Sequence, residues 1–175
     1  MKVVLREWPT ETDWLEVYAR ALFTEGKEPK HPPSRAWKEK ILRARHSPIR
    51  RLWFAFEVEC PYWVSVHLVR HHVGVNFFVR SQRNDRQDEY DRNAARQDAP
   101  VKMIIDINAE ALITLANKRL CGKASTETRE VVEAICKCVV EMLPEFAEEL
   151  VPMCMRNGGV CHEMRPCGRD NNATD

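Results

Sequence analysis

No stretch of this chain approaches the roughly 20 consecutive apolar residues that a membrane-spanning helix needs. The opening MKVVLREW has too short an apolar run for a secretory signal. The expected setting is therefore a reducing cytoplasm, with no membrane partner. The seven cysteines agree with it, because an odd number cannot be fully paired in disulfides. The chain also lacks a net charge of consequence: at +1, overall charge argues neither for nor against a polyanionic partner. It lacks internal repeats, low-complexity blocks and any recognisable linker. Its 175 residues fit one domain, expected over residues 1–153, with an irregular, cysteine-containing tail over 154–175.

What is there is ordered periodicity. Val3-Val4-Leu5 reads as a short strand. Thr10 with Asp13 three residues later makes a near capping box, and Trp14, Val17, Tyr18, Ala21 and Leu22 then recur at helical spacing. Ser34 can cap a second helix with Trp37, Ile41 and Leu42 inward and its basic residues outward. From Leu52 to Glu59 the pattern alternates, with Leu52, Phe54, Phe56 and Val58 on one face of a strand. Pro61 suits the first turn of a helix running to about Arg70. Residues 74–99 carry no clear pattern, and Asp85 to Asp98 reads as a polar loop. Val101 to Ile107 is a second long strand. Asn108 can cap one helix and Ser125 another, the latter with Val131, Val132, Ile135, Val139 and Leu143 inward and Pro144 as its stop. Cys138 is placed on that apolar face.

Charge is concentrated locally. Residues 34–51 hold seven Arg or Lys and one acid, Glu39; residues 67–83 hold Arg70, Arg80 and Arg83 with three histidines and no acid. Such clusters attract phosphate, and they also occur as plain solvated surface. In the second cluster a strand and a Pro-started helix deliver Arg70, His71 and His72 at a helix end, and Ser81-Gln82-Arg83 follows ten residues on. Arg suits phosphate because its planar fork donates two parallel hydrogen bonds.

The segment Arg70-His71-His72 followed by Ser81-Gln82-Arg83 resembles the signature of the flavin-dependent thymidylate synthases, in which Arg-His-Arg precedes spaced Ser and Arg residues. Ser47-Pro48 and Phe54-Ala55-Phe56 extend the likeness upstream. Downstream, Asn108 to Arg119 and then Ala124-Ser125-Thr126-Glu127 resemble the family's helix ending in Arg and the motif after it. The resemblance implies an α/β (α+β) fold, an antiparallel sheet with packed helices, assembled as a homotetramer with sites between subunits. It implies FAD as cofactor, methylenetetrahydrofolate and NADPH as co-substrates, and reductive methylation of dUMP to dTMP. Ser47, Arg70, His71, His72, Asn108, Glu110 and Thr114 would then meet the flavin. His67, Arg70, Ser81, Arg83, Arg92 and Arg119 would meet the nucleotide, with Arg119 the catalytic cation beside the uracil ring.

The likeness has departures. His72 stands for Arg, Val75 for Ser, Phe77-Phe78 for a polar pair and Arg50-Arg51 for Glu-His. One extra residue precedes Ser81, and eight residues separate Arg83 from Arg92 where the family has a longer insertion. These losses fall more on the flavin side, so a nucleotide-binding protein of the same fold that has lost or changed the flavin reaction is the alternative expectation. A nucleic-acid partner for the 34–51 segment ranks below both, because no aromatic interleaving accompanies the charge. In the tail, Cys154, Cys161, His162 and Cys167 could supply soft ligands to zinc, or be free thiols packed in a loop.

Overall fold

A computed structural model describes residues 1–83, 86, 91 and 93–168. Strand β1 (Lys2–Glu7) leads into helix α1 (Glu11–Phe23), which opens on the capping box read from sequence: Thr10 accepts from the Asp13 N–H, and the Asp13 carboxylate accepts from the Thr10 N–H. Helix α2 (Arg35–Ala44) is capped by Ser34 and ends at Arg45. A 3-10 turn (Ser47–Arg51) enters β2 (Trp53–Pro61), and α3 (Tyr62–Val69) follows at once. Strands β3 (Val75–Val79) and β4 (Pro100–Asn108) precede α4 (Ala109–Arg119) and α5 (Thr126–Met142). A second 3-10 turn (Pro144–Phe146) and the short α6 (Met153–Arg156) complete the order.

The strands form one antiparallel sheet in the order β1-β2-β4-β3. Alternation decides which face is buried, since successive side chains on a strand point to opposite faces. Phe54, Phe56 and Val58 of β2 and Val101, Met103, Ile105 and Ile107 of β4 share the core face. The helices cover it, contributing Trp14, Val17, Ile41, Leu42, Leu112, Val132, Ile135 and Val139, all buried, with Phe146 packed edge-on to Phe54. The expected α+β architecture is therefore present, and among the described residues no helix is long and apolar enough to cross a membrane.

The structure corrects five local expectations. β3 forms inside the stretch that showed no pattern. Only Val75 of its five residues is buried, so cross-strand pairing with β4, and not a buried periodic face, makes it a strand. Pro61 is the last residue of β2 and the N-cap of α3, so its missing N–H falls at the end of the ladder and not inside the helix. Cys136 is the buried cysteine of α5, while Cys138 is half-buried. The residues after Pro152 include a helical turn. Finally, Lys38 points inward. Its ammonium lies 2.6 Å from Glu11 and 3.7 Å from buried Glu145, and 5.1 Å above the Trp14 ring. A buried charge is tolerated when it is paired in this way.

Candidate functional site

Two chain segments far apart in sequence meet through one backbone contact. The Asn108 N–H donates to the Gly74 carbonyl at 3.0 Å, tying the start of β3 to the end of β4. Gly74 has φ +73°, and a Cβ built on it would lie 2.4 Å from Asn108 Nδ2. Only glycine meets both demands. The approach brings the end of α3, with Arg70, His71 and His72, against the first turns of α4.

A cleft of about 520 Å³ opens there. Arg70, His71, His72, Val73 and Gly74 line one wall; Asn108, Glu110, Ala111 and Thr114 line another; Arg45 and Arg50 close the third. Six of the seven residues expected to meet a flavin thus share one cleft. Ser47 does not line it, although Arg45 and Arg50, on either side of Ser47 in sequence, both do. The amino end of α4 adds the partial positive charge of the helix dipole, although its Asn108, Ala109 and Ala111 N–H groups already donate to the Gly74 and Leu52 carbonyls and to Asn108 Oδ1.

Sequence reasoning missed Arg45. It closes α2 in the left-handed conformation (φ 50°), unusual for a residue with a side chain. That turn sends its guanidinium under α4, where Nη1 donates to Thr114 Oγ1 at 3.4 Å and Nη2 donates to Asn117 Oδ1. Asn117 is itself held by the Glu149 and Val151 carbonyls. Arg45 Nε is buried with no hydrogen-bond partner among the described residues. Burial, and then the Arg156 charge, push its pKa down. The only sequence signal was membership of the 34–51 basic run. Arg50 behaves differently: it grips Glu110 at 2.6 and 3.3 Å. Among the described residues neither Arg45 nor Arg70 has a carboxylate within ion-pair distance, so two cations face the cleft unneutralised.

Arg119 lies behind His71. Its Nε donates to His71 Nε2 at 3.0 Å and its Nη2 to the His67 carbonyl at 3.1 Å. An imidazole nitrogen that accepts must be unprotonated, so His71 carries its proton on Nδ1. Its pKa is lowered, by burial first and then by the Arg119 charge, which keeps it neutral. The Arg119 pKa is also lowered, by burial and then by Arg70. The His67 ring packs edge-on to Trp63 and its Nδ1 sits 3.2 Å from Thr128 Oγ1, outside the cleft.

The remaining sequence candidates lie elsewhere. Ser81 borders a separate groove of about 220 Å³ with Arg80, Gln82 and Lys102. This groove is at the other end of β3 from Gly74, roughly 20 Å away at strand rise. Arg83 follows it, exposed, its N–H donating to Ser81 Oγ at 3.3 Å. Arg92 lies outside the described residues. Within one chain, therefore, Ser81 and Arg83 do not meet Arg70. The tail residues Cys154, Cys161, His162 and Cys167 are not assembled: among the described residues no group of three or more His, Cys, Asp or Glu could hold a metal. Cys167 instead packs against Gly122.

No protein-family model matches the chain, and no curated sequence does. Solved structures do. A crystal structure described as a UMP/dUMP methylase, PolB, from Streptomyces cacaoi bound with 5-Br dUMP superposes with a TM-score of 0.65. The match covers 85% of this chain and 93% of that one at 15% sequence identity, so what the two share is the fold.

Proposed function

We propose that the chain is a nucleotide-binding enzyme that methylates dUMP in a flavin-dependent reaction, with FAD as cofactor and methylenetetrahydrofolate and NADPH as co-substrates. One observation carries the reading. Arg70, His71 and His72 converge with Asn108, Glu110 and Thr114 on one cationic cleft, in a fold shared with a UMP/dUMP methylase. The donor set fits a phosphorylated ligand. Arg70 offers charge-assisted hydrogen bonds to phosphate oxygens, Arg45 adds positive charge beneath Thr114, and the α4 dipole favours an anion at its amino end. A bound reduced flavin would supply the hydride in this chemistry. The chain's own residues bind, orient and hold charge. His71, kept neutral, fixes the Arg119 guanidinium, and a fixed half-buried cation stabilises negative charge developing on a pyrimidine that reaches it. Because Ser81 and Arg83 lie far from the cleft within one chain, their part in nucleotide binding requires a second subunit, in keeping with a homotetramer.

A specific observation favours a second reading, a nucleotide-binding protein without the flavin reaction. Several polar groups of the cleft are already engaged within the chain: Asn108 caps α4, Glu110 holds Arg50 and Thr114 donates to the Glu110 carbonyl at 2.9 Å. Those groups are less free to read a flavin ring than Arg70 is to hold phosphate. Two measurements separate the readings. The enzyme reading predicts a yellow purified protein and dUMP-dependent release of tritium from [5-³H]dUMP, cut about 100-fold in Arg119→Ala. A colourless protein that releases no tritium after addition of FAD, yet gives a heat of dUMP binding that Arg70→Ala removes, would establish the second reading instead.

A further inference from the structure

Among the described residues the helices pack on one face of the sheet only. On the opposite face Phe78 of β3 and Ile104 of β4 are cross-strand partners, and they remain 57% and 46% exposed. Large side chains left together on an open sheet face mark an interaction surface. The charges around them follow a simple order. Lys102 and Asp106 stand two residues to either side of Ile104 on β4, and so point the same way. Arg80 extends the Lys102 end, its N–H donating to the Lys102 carbonyl at 2.9 Å. Among the described residues Glu59 of β2 is the one acid there, 3.3 Å from Lys102. At the other end Asp106 is flanked by Asn76 and Ala55, neither charged. Glu57, level with Ile104, is already gripped by Arg6. One end is thus net basic, the other net acidic, and the apolar pair lies between.

We propose that this open face is a self-association surface on which a second copy of the chain docks face to face with its strands reversed. A twofold axis between the sheets, perpendicular to the strands at Ile104, generates the arrangement. It stacks Ile104 on Ile104 and Phe78 on Phe78, and sets Lys102 of each copy over Asp106 of the other. Two-fold interfaces require such self-complementarity, since every contact occurs twice. The alternative axis, parallel to the strands, would put Lys102 over Lys102 and Asp106 over Asp106, and like charges disfavour it. Aligned sheets about 10 Å apart leave room for the apolar pairs to interdigitate. The chosen axis also lays the Arg80–Ser81 end of one copy beside the Gly74 end of the other. That corollary rests on the nucleotide reading above; the interface itself does not.

The test is sedimentation equilibrium of the full chain, with a charge swap. Wild type associates into dimers or multiples of dimers. Ile104→Lys weakens association, and Lys102→Glu and Asp106→Lys each do so by roughly tenfold or more, while the double variant recovers it. Because all three positions face outward, circular dichroism of each variant shows whether the fold is kept. A monomeric wild type, which would leave the face to some other partner, overturns the proposal. So does association that Ile104→Lys leaves unchanged, or a double swap no tighter than the single variants. Calorimetry with dUMP on the same samples reports on the nucleotide reading separately, so the failure of either is distinguishable from the failure of the other.

Discussion

Gly74 is where backbone geometry and the cleft meet. Its positive φ would strain any residue with a side chain, and an added Cβ would press on the Asn108 amide. Gly74→Ala is expected to destabilise the protein by about 2 kcal/mol or more, read from urea unfolding, and to weaken dUMP binding in parallel. Were stability unchanged, the β3 entry could not be as tight as described. His71 gives a pH signature. Its folded pKa lies below the ordinary value of 6.5, because burial and Arg119 disfavour the imidazolium. The unfolded chain therefore binds that proton more readily than the folded one. The His71 contribution to stability is complete above pH 6.5 and is lost as pH falls through 6.5 toward the lowered value. Unfolding midpoints from pH 8 down to 5 should fall more in wild type than in His71→Gln. Equal slopes would mean that burial and the Arg119 charge do not hold His71 neutral.

Helix α4 carries two duties at the scale of the element. Asn108 Oδ1 accepts from the Ala111 N–H at 3.0 Å, closing the helix start, and the same side chain forms part of the cleft wall. Asn108→Ala should cost about 1 kcal/mol, the usual value of a lost cap. Asn108→Asp keeps the acceptor and should hold stability within a few tenths, but it adds a negative charge beside an anion site. Binding of dUMP or FAD, followed by calorimetry, should therefore weaken in Asn108→Asp more than thermal unfolding changes. An Asp variant that binds as well as wild type would remove the α4 amino end from the anion site. Helix α2 works differently. Its left-handed last residue, Arg45, reaches α4 through Thr114 and Asn117, so two helices that touch little elsewhere are joined at the cleft.

Across the whole molecule, burial sorts the thiols. Of the seven cysteines, Cys60 and Cys136 are the buried ones. Desolvation pushes the Cys60 thiol up to about 11 and the Cys136 thiol up to about 12. A thiol held protonated inside a core does not react as a thiolate. With Ellman's reagent at pH 8 the Cys60 and Cys136 thiols of the native protein should therefore stay unreacted until denaturant is added. Fast reaction of both would mean that the β2–α5 core opens readily. The same packed sheet that shields these thiols on one face leaves Phe78 and Ile104 open on the other.

Much of the scaffold was decided by the sequence alone. The capping residues Thr10, Ser34, Asn108 and Ser125 start the four helices expected of them, because a side-chain oxygen two or three residues ahead of an orphan N–H acts locally. The alternation from Leu52 to Glu59 set the buried face of β2, since strand period is a local property. The ordered likeness of residues 70–72 and 108–114 pointed to groups that the fold brings into one cleft. Tertiary structure decided the rest. β3 exists through its ladder with β4, not through a buried face of its own. Lys38 turns inward because Glu11, Glu145 and Trp14, distant in sequence, surround it. Arg45 enters the cleft through a single left-handed turn that no spacing announces. Ser81 was separated from Arg70 by the length of one strand, a distance that sequence order hides and only the sheet's geometry sets.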